Sequence, residues 1–180
     1  MGTDFEISKT AAAFLIFSSI LWSLAGWQLI RLLARDPAQD RAIACFLFAM
    51  AGNLGLLIAQ DIAAFYTFFA MMSLASWGVV LHGGGVAQIF AGRVYIVFAI
   101  AGEVALFAGL ALGHFATGDL RLSAMTGDTV PLLATVLVSL GFLIKLGAVP
   151  MHLWLPLAHA AAPAPASAVL SGAMLKAGLF

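Results

Sequence analysis

Charge is what this chain has least of. Its 180 residues include only 8 Lys+Arg and 8 Asp+Glu, 9% in all, against 63% apolar residues. A soluble domain keeps about 25% of its residues charged, so this chain cannot cover a water-facing surface. With a mean hydropathy of +1.09, it reads as an integral membrane protein in contact with the lipid bilayer. The formal net charge is zero and no basic run occurs, so the electrostatic footprint of a nucleic-acid binder is missing. Cysteine is nearly absent as well. Cys45 alone cannot supply an iron–sulfur cluster, a zinc site or an internal disulfide. Neither a GxGxxG fingerprint nor a P-loop occurs, so no cofactor and no metal are expected, and if the protein serves a redox enzyme the electrons travel elsewhere. The N-terminus, MGTDFEISKTAAAFLIF, places acidic residues before its apolar run and lacks an A-x-A cleavage pattern, unlike a signal peptide. The chain reaches Phe180 within an apolar run, with no cap or flanking charge. That reads as a piece of a longer polypeptide.

What is present is length of apolar run. A spanning helix needs about 20 mainly apolar residues. Five segments meet this, Thr10–Leu33, Ala42–Ala59, Ile62–Leu81, Val94–Phe115 and Val130–Val149, and a sixth, Ala164–Phe180, is cut short. The links between them are RDPAQDR, QD, HGGGVAQIFAGR, GHFATGDLRLSAMTGDT and PMHLWLPLAHAAAPAP. The expectation is an all-α, polytopic transmembrane bundle of about six helices, one domain over residues 1–180. Arg31, Arg35, Arg41 and Arg93 gather at one side, Lys9 and Arg121 at the other, which places the first loop in the cytoplasm by the positive-inside rule. Small residues, Gly52, Gly55, Ser73, Ala75, Ser76, Gly102, Ala105, Gly109, Ser171 and Gly172, read as helix-packing positions. The FYTFF stretch reads as packed or lipid-facing rings, and Asp61 and Arg35–Asp36–Pro37 read as turns.

Against that background a few ionisable residues stand out. Lys145 in SLGFLIKLGAVP, Lys176 in SAVLSGAMLKAGLF and Glu103 in AIAGEVALF each lie inside an apolar segment. A charge in hydrocarbon costs at least about 2.5–3.5 kcal/mol, so these residues point to protons or other cations moving along buried groups. Glu103 lies too deep for a short carboxylate to reach water at a loop, whereas the longer Lys145 stem can also snorkel to the interface. Pro150 and Pro156 remove backbone donors and break the helix near Val149; such breaks at membrane depth persist where they are buried in protein or line a wet cavity. His152 and His159 follow the break. Histidine titrates near neutral pH and relays protons; the alternative is a polar side chain bonded to a carbonyl near the surface. His82 and His114 read as interfacial anchors.

The run GFLIKLGAVPMHLWLPLAHAAAPAPASAVLSGAMLKAG resembles the antiporter-like proton-channel subunits shared by respiratory complex I (NADH–quinone oxidoreductase), membrane-bound nickel–iron hydrogenases and multisubunit sodium/proton antiporters. The resemblance rests on K-x-x-x-x-P-x-H-x-W-L-P, then A-P-x-P-x-S-A, then G-x-x-x-K-x-G. These match through Lys145, Pro150, His152, Trp154, Leu155, Pro156, Ala162, Pro163, Pro165, Ser167, Ala168, Gly172, Lys176 and Gly178. AMAGNLGLLIAQDIAAFYTFFAMMSLASWGVVLH and GRVYIVFAIAGEVALFAGL are similar to preceding helices of that family. The resemblance implies a fragment, the third through eighth helices of a roughly fourteen-helix inverted-repeat fold. It further implies a non-redox, proton-translocating subunit in the cell inner membrane, with other membrane subunits as partners and protons, or alternatively sodium, as the transported ion.

By the same register Lys145 resembles the central proton carrier of the broken helix, Lys176 the onward lysine, and His152 the motif histidine. One departure is plain. The family's tryptophan–glutamate pair, whose acid partners the broken-helix lysine, is replaced here by Phe69 and Ala70. Two readings follow. Glu103 can supply the missing carboxylate from the adjacent helix, or the chain has lost pumping and serves as scaffold.

Overall fold

The computed structural model describes Phe5, residues 9–126 and residues 129–178, and among them every regular element is helical. α1 spans Lys9–Leu32, α2 Gln39–Leu56, α3 Ile62–Val80 and α4 Val86–Thr117. α5 runs Leu132–Leu146, α6 Trp154–Ala161 and α7 Ala164–Val169; α7 passes into a π-helical turn, Leu170–Met174, and a 3-10 turn, Leu175–Gly178. The acidic residues of the N-terminal stretch, Asp4 and Glu6, and the last two residues of the sixth expected segment lie outside the described residues.

Among the described residues four spans are long and apolar enough to cross a membrane: α1, α3, α4, and α5 with α6 taken together. α2 was expected as a fifth. It falls short because Gln39, Asp40, Arg41 and Asn53 dilute its apolar run, although it packs along the length of α3. α4 is longer than the Val94–Phe115 expected, because HGGGVAQIFAGR is not all loop. The reversal needs only the glycines, of which Gly83 and Gly84 take positive φ, and VAQIFAGR is free to wind into helix. Arg93 therefore sits within α4. The link PMHLWLPLAHAAAPAP likewise contains a helix, α6. Pro156 falls in its first turn, where a missing N–H costs nothing.

The bundle is held by two close helix pairs, α2 with α3 and α4 with α5. Their sequences explain the closeness. A Cβ at Gly52 would stand 2.5 Å from Met72 N and 2.7 Å from Phe68 O, and one at Gly109 would stand 2.7 Å from Val138 N and 2.8 Å from Ala134 O. In lipid, where no hydrophobic effect drives helices together, small residues let backbones meet and dispersion accumulate. Large apolar side chains such as Ile16, Ile20, Leu24, Val97, Val104 and Leu133 face outward, as lipid-facing positions should. FYTFF divides as its period dictates: Phe65 and Phe69 are buried and Thr67 is exposed.

The loops are tied by polar caps. Asp61 is no exposed turn. It is buried as the N-cap of α3, its Oδ1 accepting from Ala64 N at 2.8 Å, and its backbone pairs with Arg121. Asp36 closes the first turn by accepting from Ala38 N at 2.7 Å and also meets His82 Nε2 at 3.1 Å.

Candidate functional site

The close approach of α4 and α5 assembles the site. A Cβ on Gly141 would lie 2.8 Å from Gly102 O, so the two backbones touch at this glycine pair. Glu103 is the next residue on α4, and Lys145 stands one turn beyond Gly141 on α5. Both are 7% exposed. Together with Phe69, Ser73, Tyr95, Phe98 and Trp154 they line a narrow cavity with room for about one water molecule. Both of these expected site residues are thus brought together, and the lysine turns inward rather than snorkelling.

Within the cavity Lys145 Nζ donates to Ser73 Oγ at 2.5 Å and lies 5.4 Å from the centroid of the Phe69 ring. The Glu103 carboxyl lines the same cavity beside Ser73 and Lys145. The carboxyl's Oε1 is buried without a hydrogen-bond partner, a costly arrangement for a polar atom unless a proton or water visits it. Tyr95 OH donates to Ser73 O at 3.1 Å, which locks α3 against α4 at this level. Phe69 and Ala70, where the resembling family has its tryptophan and glutamate, leave α3 without an acid. Ring and serine occupy its lysine-facing side instead.

The helix break beside the pair is built as its prolines and glycine require. α5 ends at Leu146, three residues earlier than expected, with Gly147 left-handed at φ 66° and Gly147 N bonded to Ile144 O. Trp154, at the start of α6, donates its Nε1 to the same Ile144 carbonyl at 2.9 Å and packs edge-on against Tyr95 at 5.3 Å. The indole closes one side of the cavity and gives the Ile144 oxygen, at the helix end, a second donor beside Gly147 N.

The other expected residues lie elsewhere. His152 is exposed in the 3-10 turn Met151–Leu153. Lys176 is exposed on the α1 side, its Nζ 5.1 Å from the Phe17 ring. His159 instead joins two hydroxyls, with Nδ1 2.8 Å from Ser167 Oγ and Nε2 3.1 Å from Ser171 Oγ, across the Pro163 kink. His114 binds Asp119 O at 2.9 Å beside the end of α4. Among the described residues no group of three or more His, Cys, Asp or Glu could hold a metal ion. Sequence reasoning treated Ser73 as a packing residue. The signal was its spacing: three and four residues after Ala70 and Phe69, on the helix face where the missing acid would stand.

Fold and cavity together define a multi-pass helical membrane protein with a buried acid–base pair beside a broken helix. The chain belongs to the family described as NADH:quinone oxidoreductase/Mrp antiporter, TM, which it matches over residues 59–180. It is 38% identical over 135 residues to hydrogenase-4 component B of Escherichia coli K12, covering 73% of this chain and 20% of that protein. It is 30% identical over 144 residues to a probable K(+)/H(+) antiporter component of Rhizobium meliloti, covering 75% and 26%. Among solved structures it superposes on a chain of the membrane-bound sulfane sulfur reductase, an archaeal respiratory membrane complex, with a TM-score of 0.89 at 25% identity, over 99% of this chain and 38% of that one. It also superposes on a chain of the Mrp complex from Dietzia sp. DQ12-45-1b with a TM-score of 0.76 at 26% identity, over 94% and 33%. The chain therefore spans well under half the length of the relatives it matches.

Proposed function

We propose that this chain is part of a proton-translocating membrane subunit of a complex I-like NADH–quinone oxidoreductase or hydrogenase-type assembly. In this reading residues 1–180 lie within one antiporter-like domain in the cell inner membrane, beside other membrane subunits, and redox chemistry occurs in those partners. Glu103 is the modulating acid, Lys145 the switchable carrier, His152 a relay and Lys176 the onward site. The observation that carries the reading is the burial of Glu103 and Lys145 in one cavity, with the Ser73 hydroxyl bonded to the lysine. Desolvation and a neighbouring carboxylate act oppositely on an ammonium's hold on its proton. A small change in their separation, at 1.36 kcal/mol per unit of pKa, therefore loads or unloads the lysine.

The test is proton uptake by membrane vesicles holding the complete complex, driven by its electron donor. Lys145→Ala is expected to abolish uptake, and Glu103→Gln to reduce it severely. Unchanged uptake in Lys145→Ala would leave a scaffold, the role for which Ala70 in place of the usual acid speaks. A second reading, a subunit of a cation/proton antiporter, is favoured by the resemblance to the R. meliloti protein and the Mrp chain. Proton movement that follows a sodium or potassium gradient and ignores the electron donor would select it.

A further inference from the structure

Three hydroxyls on the apolar helices of this chain turn back on their own backbone. Thr67 Oγ1 donates to Ala63 O at 2.7 Å, Ser76 Oγ to Met72 O at 2.5 Å and Thr117 Oγ1 to Gly113 O at 3.0 Å, each four residues back, the usual refuge of a helical hydroxyl in an apolar setting. Ser73 is different. It is 1% exposed, and its oxygen receives the Lys145 ammonium. That bond occupies an oxygen lone pair and leaves the hydroxyl proton to be given elsewhere. The acceptor that lines the same cavity is the Glu103 carboxyl, one oxygen of which has no partner.

We propose that Ser73 is the proton bridge between Lys145 and Glu103, taking over the direct lysine–acid contact that is lost with the acid on α3. The inference rests on the function proposed above. In the transfer, an Nζ–H bond of Lys145 breaks as its proton bonds to Ser73 Oγ. The Ser73 O–H bond breaks in concert, and its proton bonds to a carboxylate oxygen of Glu103. Ammonium and carboxylate become amine and carboxylic acid, and the serine ends as a hydroxyl with its hydrogen turned toward lysine. Rotation about Cβ–Oγ resets it. Tyr95, holding the Ser73 carbonyl at 3.1 Å, keeps the hydroxyl in register, and the cavity has too little room for a water chain to bypass it.

Proton uptake by vesicles of the complete complex is measured for Ser73→Ala, Ser73→Thr and Ser73→Cys beside Lys145→Ala and Glu103→Gln. Removing a positioned proton-transfer group costs typically 10²–10⁴-fold, so Ser73→Ala is expected to slow uptake about a hundredfold. Ser73→Thr, which keeps the hydroxyl, is expected to restore most of it. Infrared difference spectra supply a readout that a packing role would not move. The carboxyl bands lost in Glu103→Gln should shift in Ser73→Ala and stay in place in Ser73→Thr. Wild-type uptake in Ser73→Ala, or carboxyl bands unmoved by it, overturns the bridge. If the alanine protein fails to assemble, Ser73→Cys, a weak donor of nearby size, is read the same way. Loss of uptake in Lys145→Ala and Glu103→Gln with normal Ser73→Ala refutes the bridge alone. Normal uptake in all three refutes the transport reading itself.

Discussion

At the scale of single residues, the site depends on which atoms have partners. Lys145 has a hydroxyl and an aromatic face, whereas Glu103 keeps one oxygen bare. A buried polar atom left unbonded costs about 1–3 kcal/mol, and here that atom shares its cavity with the Lys145 cation. Tyr95 is the structural counterpart. Tyr95→Phe removes the hydrogen bond to Ser73 O but leaves the ring against Trp154. Because the Ser73 carbonyl belongs to a helix, the loss should be about 1 kcal/mol, seen as a small drop in thermal midpoint in detergent. Proton uptake should fall far less than in Ser73→Ala. An equal fall would move the bridging role from the serine to the tyrosine.

At the scale of elements, the broken span from α5 to α6 is the informative one. Pro150 forbids continuation, Gly147 supplies the left-handed turn, and Trp154 reaches back to the Ile144 carbonyl that Gly147 N also bonds. Gly147→Ala forces a Cβ into φ 66° and toward Leu155 Cδ2 at 3.1 Å, which should cost about 1–2 kcal/mol. Trp154→Phe keeps ring packing and loses the hydrogen bond, for about 1 kcal/mol. Unfolding of the purified protein in detergent checks both values. Double-mutant additivity is expected to fail, since both groups serve the same Ile144 oxygen.

At the scale of the whole molecule, two glycine-lined contacts set where everything else sits. α2 meets α3 at Gly52, and α4 meets α5 at Gly109 and Gly141. Gly52→Val drives a side chain into the α3 backbone and should cost about 3 kcal/mol, the upper end of overpacking. Leu47→Val on the exposed face of the same helix should be nearly neutral. The fraction extracted as monodisperse protein reports the difference. A Gly52→Val protein as stable as wild type would mean that α2 and α3 approach less closely than the glycine contact requires.

Much of this was legible in the residues alone. Scarce charge and long apolar runs determine a membrane bundle, because no other fold can hide so much apolar surface. The prolines determine the break, and the K-x-x-x-x-P-x-H-x-W-L-P run determines the family. Glu103 and Lys145 were conspicuous for the cost of placing a charge in lipid. Other points were decided only by tertiary structure. Composition cannot say which way a side chain at mid-helix points, so the pairing of Glu103 with Lys145 waited on the Gly102–Gly141 contact. A serine at packing spacing looks the same whether it fills space or carries a proton. Ser73 differs from Ser76 only because a lysine 72 residues away comes to rest on its oxygen. His152 and Lys176 carry equally strong sequence signals, yet in this fold they face outward, since the turn and the last helix present them to surfaces away from the cavity. Local pattern sets what a residue costs to bury; only the packing of distant helices sets what it meets.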